Sequence, residues 1–303
     1  MMNFRNNVSI LSLDIKCPRC NKGIKSKTKK NLIIICNNCK FEMHFNGDIW
    51  DCRINSTIKP EFSKQWILWN NGWLGAKKML YSSSLNENSV DSILNILGLS
   101  KKNLLNKKIL DIGFGTGRNL SFLYKYSKHV FGIDLINPIK IFNLNEQSLI
   151  CGDLFNMPLM PNQFDLVICQ GVIHHNDNID LAFKKVIEQI KTGGLLYLYI
   201  YEKNSPKIQK VRKIFPLSWM YPTFIKVSIS HLLGFILSLM KTFKENSIKD
   251  FRAYHGNYTL GVYDSLSPRW VKTFKPEEIL SFLDKNSLTA KRISPSIYIG
   301  KKK

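Results

Sequence analysis

Two cysteine pairs near the N-terminus, Cys17-Pro18-Arg19-Cys20 and Cys36-Asn37-Asn38-Cys39, have the spacing C-x2-C-x15-C-x2-C. Each pair can present two thiolates from one tight turn, and four thiolates close a tetrahedral zinc site with no open coordination position. Such a site supports a fold and performs no catalysis. Iron–sulfur or redox use of the same thiols competes with this reading, and the match to a zinc ribbon disfavours it. His44 is a further ligand type nearby, but with Cys17, Cys20, Cys36 and Cys39 filling the shell it is expected on a strand surface.

A second constellation lies at Ile109-Leu110-Asp111-Ile112-Gly113-Phe114-Gly115-Thr116-Gly117. An apolar strand delivers its end to a turn in which three glycines alternate with other residues. Glycine tolerates positive φ and lets a ligand approach the main chain, and a helix starting near Gly117 would point its first N–H groups at the same place. A nicotinamide fingerprint needs G-x-G-x-x-G, whose third glycine would fall at Arg118; the spacing here is D-x-G-x-G-x-G. A phosphate favours a bare helix end but not the adjacent carboxylate of Asp111. A ligand carrying an ammonium and a sulfonium centre tolerates that carboxylate, so the departure points to S-adenosylmethionine.

Two more acids follow at successive strand ends. Asp134 closes Phe131-Gly132-Ile133-Asp134, where a carboxylate can take both ribose hydroxyls. Asp153 follows the next strand in Cys151-Gly152-Asp153-Leu154, within reach of an adenine amino group. A single aspartate of this kind is commonly a turn or cap residue, but three after one glycine loop form a set. His174 and His175 come after the fourth strand. They read either as groups that orient or deprotonate an acceptor or as turn and pocket-lining residues. Cys151 and Cys169 sit in apolar strands and read as buried, inert thiols, and Asp165 as a structural acid at a strand start.

The elements that must hold these residues show a β–α rhythm from Lys107 onward. Strands are expected at Lys108 to Asp111, His129 to Asp134, Ser148 to Cys151, Phe164 to Gln170 and Leu195 to Tyr201. An amphipathic helix is expected over Asn178 to Ile190, ended by Gly193-Gly194. A helix at Pro276 to Leu283 and two strands, Ala290 to Ile293 and Ser296 to Gly300, close the chain. Repeated units of this length predict a doubly wound, mostly parallel α/β sheet with its ligand at the carboxyl ends of the strands. The expected domains are a ribbon at 1–55, a helical cap or linker at 56–104, and the α/β domain at 105–303 with a helical insert at about 206–250.

These stretches resemble the class I methyltransferases of the type-11 kind, which include the quinone-biosynthesis methyltransferases. The matching residues are Leu110 to Gly117, Gly132-Ile133-Asp134, Gly152-Asp153-Leu154, Phe164-Asp165-Leu166-Val167, Gly171-Val172-Ile173-His174-His175 and Lys191-Thr192-Gly193-Gly194-Leu195. The resemblance covers residues 105 to 201 strongly and the C-terminal segment loosely. It implies a seven-stranded Rossmann-like sheet with a reversed final strand. Gly113, Gly115 and Gly117 would hold the methionine moiety beside Asp111, Asp134 the ribose, and Asp153 with the Leu154 backbone the adenine. Phe114 stands where the family often has a small residue.

The 303 residues carry 44 Lys and Arg against 22 Asp and Glu, a formal charge of +22. That balance invites a nucleic-acid or anionic-membrane partner, but the lysines are scattered. Seven cysteines, four of them in paired motifs, without a signal-peptide pattern at Met1 to Lys16 predict a reducing, cytoplasmic setting. Between Lys226 and Lys241 lie 14 uncharged residues, short of the roughly 20 a membrane span needs. A lid helix and a docking element for a membrane or acyl chain, through 225–241, are the two readings. Tyr263, Arg269 and His255 are candidate acceptor-facing residues, with a surface loop anchored by Trp270 as the alternative.

A methyltransferase acting on a small-molecule or lipid-like acceptor is the expected function. An RNA methyltransferase is the alternative, favoured by charge and ribbon; against it, Gln170-Gly171-Val172-Ile173 stands where an N-P-P-[YF]-type tetrapeptide would follow the fourth strand. A non-catalytic module that kept the fold is the third class.

Overall fold

A computed structural model of the chain describes residues 9–24, 33–47, 49–54, 60–74, 90–115, 117–135, 148–203, 211–269 and 271–303. The chain divides into two compact units. One comprises Met1–Ile58, Val90–Glu202 and Lys272–Lys303, and the other Lys59–Ser89 and Lys203–Val271.

The strands of the first unit are β1 (Ile33–Ile35), β2 (Glu42–Phe45), β3 (Trp50–Asp51), β4 (Lys108–Ile112), β5 (His129–Asp134), β6 (Leu149–Cys151), β7 (Phe164–Gln170), β8 (Ile190–Tyr199), β9 (Leu288–Ser294) and β10 (Ile297–Lys302). They form one sheet in the order β1-β2-β3-β6-β5-β4-β7-β8-β10-β9. β4 lies between β5 and β7 and is parallel to both. β6 and β8 continue the parallel pairing outward. β10 enters antiparallel between β8 and β9. Strands β4 to β10 are thus the expected seven-stranded, Rossmann-like methyltransferase sheet with its reversed final strand. β4 and β7 are buried almost throughout, as parallel strands covered on both faces require.

The sheet does not stop at seven strands. The ribbon hairpin β1–β2 passes through β3, which pairs in parallel with β6 through Trp50↔Ile150 and Asp51↔Cys151. A second seam fixes the same module. Lys16 N–H donates to Pro158 O, Met160 N–H to Asp14 O, and the Gln163 amide exchanges two hydrogen bonds with the Asp14 main chain. Ile15, Ile34, Met43 and Trp50 join Phe131, Ile150 and Leu159 in one core. The ribbon is therefore a built-in edge of the sheet and not a tethered bead.

The helix Ile179–Glu188 starts at Asn178, whose side chain accepts from Leu181 N–H at 3.1 Å. It buries Ile179, Ala182, Phe183, Val186 and Ile187. It ends before Gly193-Gly194, contrary to the sequence reading, and β8 begins at Ile190. Asn162 N–H takes the Glu188 carbonyl and Phe164 N–H the Gln189 carbonyl, which satisfies the helix end early. Gly194 lies inside the strand, at a point where a Cβ would stand 2.9 Å from the Phe164 carbonyl oxygen.

In the second unit the described helices include Pro60–Asn70, Thr223–Glu245 and Phe251–Leu266. The aromatic-rich stretch from Tyr254 to Leu266, read from sequence as a substrate-facing segment or surface loop, is helical. It buries Tyr254, Thr259, Val262 and Tyr263. Trp270 lies outside the described residues.

Just past β8, Glu202 is almost fully buried. Its carboxylate receives Arg292 through two bonds of 2.8 Å and the Tyr298 hydroxyl at 2.5 Å, tying β8 to the two strands that close the sheet. Burial raises the Glu202 carboxyl, but these donors outweigh it and hold it below the usual range. The group therefore stabilises the fold fully above the ordinary glutamate pKa of about 4.3, and loses that contribution as pH falls through the lowered value. Glu202→Gln is expected to reduce unfolding free energy at neutral pH by about 2 to 3 kcal/mol, with the difference shrinking in acid. Urea denaturation of both proteins at several pH values measures it.

Candidate cofactor site and metal centre

The glycine turn leaves β4 with Gly113, Gly115 and Gly117 all at positive φ, +74°, +53° and +75°. Such values are unstrained only for glycine among common residues. Two bonds hang the turn on the end of β5: Gly113 N–H donates to Ile133 O, and Gly115 N–H to Asp134 Oδ2, both at 2.8 Å. On its other side the turn presses against the loop after β7. A Cβ on Gly113 would lie 2.2 Å from Val172 Cγ2. Asp134 and the glycine main chain therefore share one small region at the carboxyl ends of β4 and β5.

Phe114 is buried and stacks where Gly132 leaves space; a Cβ on Gly132 would be 2.8 Å from the Phe114 ring. The large residue at this position is thus matched by a glycine on the neighbouring strand. Asp111 lies within β4, 1% exposed, between Gly132 and Ile168. Its charge helps keep the Tyr124 phenol and the Cys169 thiol protonated, after the larger effect of their burial. Asp153 follows β6, and its carboxylate accepts from Phe155 N–H at 3.1 Å and from the Asn156 amide at 3.4 Å. It braces its own turn. Leu154 is buried beside it.

His174 and His175 form a short 3₁₀ turn after β7 and are both buried. The His174 ring stacks on Tyr201 with centroids 3.8 Å apart, and its Nδ1 accepts from Tyr201 N–H at 3.4 Å. That bond puts the ring proton on Nε2, which has no hydrogen-bond partner among the described residues. Burial, and then the neighbouring His175, hold His174 well below the usual imidazole range. That favours the neutral ring. The His174 carbonyl accepts from Lys272 N–H, so the turn is pinned on both sides.

The other candidates have partners of their own. Asp165 bonds Lys191 Nζ at 2.5 Å and Lys108 N–H at 2.8 Å, a clamp on three strand starts. Cys151 and Cys169 are buried, and burial raises the Cys151 thiol to about 12. Tyr263 and Arg269 belong to the second unit. Tyr263 is buried, and the Arg269 guanidinium lies over Trp219 at 5.1 Å. His255 packs 5.3 Å from His231. Sequence reading missed Val172 and Tyr201; the positive φ demanded at Gly113 pointed to close packing, but nothing local named its partner.

The four ribbon thiols come together. The Sγ atoms of Cys17, Cys20, Cys36 and Cys39 lie within 4.8 Å of one another, with Cys17–Cys39 at 3.4 Å and Cys20–Cys36 at 3.6 Å. A Zn–S bond of about 2.3 Å in a tetrahedron requires sulfurs about 3.8 Å apart, so the donor set fits zinc. Both turns share one pattern: Asn21 N–H donates to Cys17 O and Lys40 N–H to Cys36 O, with Asn21 and Lys40 at positive φ. Cys17 is pushed up by burial while Lys22 N–H holds Cys20 down. His44 is exposed on β2, 3.2 Å from Glu42, outside the cluster.

Residues 110–198 match the family model described as "Methyltransferase domain". "Probable tRNA methyltransferase 9B" of Mus musculus is 29% identical over 115 residues, covering 36% of this chain and 25% of that protein. "Phosphoethanolamine N-methyltransferase 1" of Zea mays is 29% identical over 101 residues, covering 30% and 20%. The magnesium protoporphyrin IX methyltransferase of Synechocystis PCC 6803 aligns at 13% identity over 82% of this chain and 100% of its own, with a TM-score of 0.46. The chain spans about half, or less, of the length of the curated relatives it first matches.

The cluster's place in the sheet generates a prediction. Purified chain is expected to hold one zinc by elemental analysis. Cys36→Ser, or chelation, is expected to remove it and lower the unfolding midpoint by roughly 10 °C or more, because a metal held there would support a sheet edge. An unchanged midpoint after complete zinc loss would show that the edge stands without the metal.

Proposed function

We propose that this chain, which carries a methyltransferase domain across residues 110–198, transfers a methyl group from S-adenosylmethionine to a small-molecule or lipid-like acceptor. The observation that carries this reading is the junction of a positive-φ glycine turn with Asp134, through the Gly115 N–H bond of 2.8 Å. A carboxylate has about four lone-pair sites, so Asp134 can hold Gly115 and still accept ribose hydroxyls. Gly113, Gly115 and Gly117 would expose bare main chain to the methionine moiety, and the carboxylate of Asp111 nearby suits a cationic ligand. Asp153 and the Leu154 main chain would receive adenine. The four-cysteine cluster would hold structural zinc, with no part in the chemistry.

Bound S-adenosylmethionine supplies a methyl on a sulfonium carbon already activated for in-line displacement. The protein's share is alignment and exclusion of water. His174, neutral and with its Nδ1 lone pair engaged by Tyr201, would steer an acceptor by donating from Nε2. His175 beside it is the remaining candidate for deprotonating an oxygen nucleophile.

An RNA acceptor is the second reading. It is favoured by the charge of +22 and by a relative named as a tRNA methyltransferase.

Titration calorimetry with S-adenosylmethionine tests the cofactor assignment. Wild type is expected to bind, and Asp134→Ala to bind roughly 10- to 100-fold more weakly, the loss of about 1.5 to 3 kcal/mol in bonds to a charged group. Equal affinity in the two proteins would refute the ribose placement, and no binding in wild type would refute the function. Labelled cofactor with cell extract is expected to mark the small-molecule or lipid fraction. Label in RNA, with binding that weakens steeply in salt, would transfer the assignment to the second reading.

A further inference from the structure

The helix Thr223–Glu245 is long and apolar enough to cross a membrane, by length and composition. Its burial runs opposite to that of a water-soluble helix. The residues turned inward are Lys226, Ser230, Gly234, Ser238 and Thr242, one every fourth position. They meet the helix Phe251–Leu266 closely enough that a Cβ on Gly234 would stand 2.4 Å from Thr259 Oγ1. Ser230 and Ser238 return their hydroxyls to the carbonyls of Lys226 and Gly234, and Lys226 Nζ donates to Trp219 O. Small residues at the contact and polar groups satisfied within it are the packing of helices in lipid.

The large apolar residues point the other way. Phe224, Leu232, Met240 and Phe243 are 71%, 63%, 64% and 77% exposed. Leu217 and Met220, just before the helix, are also mostly exposed, and Leu217 holds a left-handed φ of +57°, an uncommon state for a bulky residue. Thirteen of the sixteen exposed large hydrophobics among the described residues belong to this unit. A patch of this kind marks an interaction site.

Charge says what covers it. Residues 203–271 carry eleven Lys and Arg against three Asp and Glu. Lys213, Lys244, Lys249 and Arg252 are exposed beside the apolar residues. We infer that this face of the second unit docks on an anionic lipid bilayer, with the helix lying in the interface and its outward Phe, Leu and Met side chains in the acyl region. A spanning placement is disfavoured by charge and not by length: the run without Lys, Arg, Asp or Glu between Lys226 and Lys241 makes about 21 Å of helix, so filling the roughly 30 Å hydrocarbon core would draw those lysines into it. The partner helix carries Arg252, His255 and Asp264, which could not follow it across. Apolar insertion with a basic fringe is how such helices bind anionic surfaces.

This inference stands whichever acceptor is methylated. The test is flotation of the full zinc-loaded chain with vesicles of phosphatidylcholine alone or mixed with phosphatidylglycerol. Wild type is expected to float with the mixed vesicles, less at high salt, and weakly with the neutral ones. Phe224→Ser with Phe243→Ser is expected to reduce the affinity roughly 100-fold, and Lys244→Gln with Lys249→Gln roughly 30-fold. Both should keep wild-type thermal unfolding and S-adenosylmethionine affinity. Failure of wild type to float, or equal flotation of the phenylalanine variant, overturns the proposal. So does a lipid-free dimer that the phenylalanine variant dissociates while neither protein binds vesicles, which assigns the face to a second copy.

Discussion

The first unit is organised around the absence of one Cβ. At Gly113 the chain leaves the central strand with φ of +74° and passes so close to Val172 that a methyl group would overlap it at 2.2 Å. Val172 lies two residues before His174, at the start of the turn after β7 that carries His174 and His175. A side chain at residue 113 would collide with the Val172 side chain in that turn, which leads into the His174–Tyr201 stack just past β8. The same glycine's N–H is held by Ile133. One position therefore sets the spacing between the carboxyl ends of β4, β5 and β7, where the order of the sheet reverses and doubly wound folds place their ligands.

Around that point the sheet is closed by two different devices. On one side the Glu202 carboxylate gathers Arg292 and Tyr298, fastening the reversed strand. On the other, a four-thiol cluster supports a hairpin that continues the main sheet through β3. An open edge at β6 would expose unpaired main-chain groups; the ribbon covers it, and Cys52 N–H extends the pairing to Cys151 O. A four-cysteine module at this edge thus sits on the strand that leads into Asp153 and Leu154, the residues proposed to receive adenine.

The second unit follows a different rule of packing. Its central helix contacts its partner through serine, glycine and threonine and turns phenylalanine, leucine and methionine outward. In water, burial of apolar area is the dominant favourable term, and a helix that forgoes it internally finds that burial elsewhere. The polar stripe is satisfied by i−4 carbonyls and by the close approach at Gly234. The unit is internally consistent once its outer surface is apolar by design of the packing.

Local pattern alone determined much of this. The spacing of Cys17, Cys20, Cys36 and Cys39 predicted the thiol cluster, because ligand geometry is encoded in two short turns. The strand ends His129–Asp134 and Phe164–Gln170 were legible to the residue, since apolar runs bounded by turn residues carry their own limits. The glycine turn and its acid at Asp134 could be paired from sequence because consecutive parallel strands place their ends side by side. What required tertiary structure was every contact between segments distant in the chain. Gly193-Gly194 looked like a helix stop, yet Asn162 and Phe164 ended the helix first by capturing its last carbonyls. The aromatics near Tyr254 to Tyr263 looked loop-like, yet a neighbouring helix of small residues gave them a packing partner. The fusion of ribbon to sheet, the tautomer of His174 and the outward face of Thr223–Glu245 all depend on which surfaces meet. Periodicity tells that a helix has two faces; only the neighbour it packs against decides which one is inside.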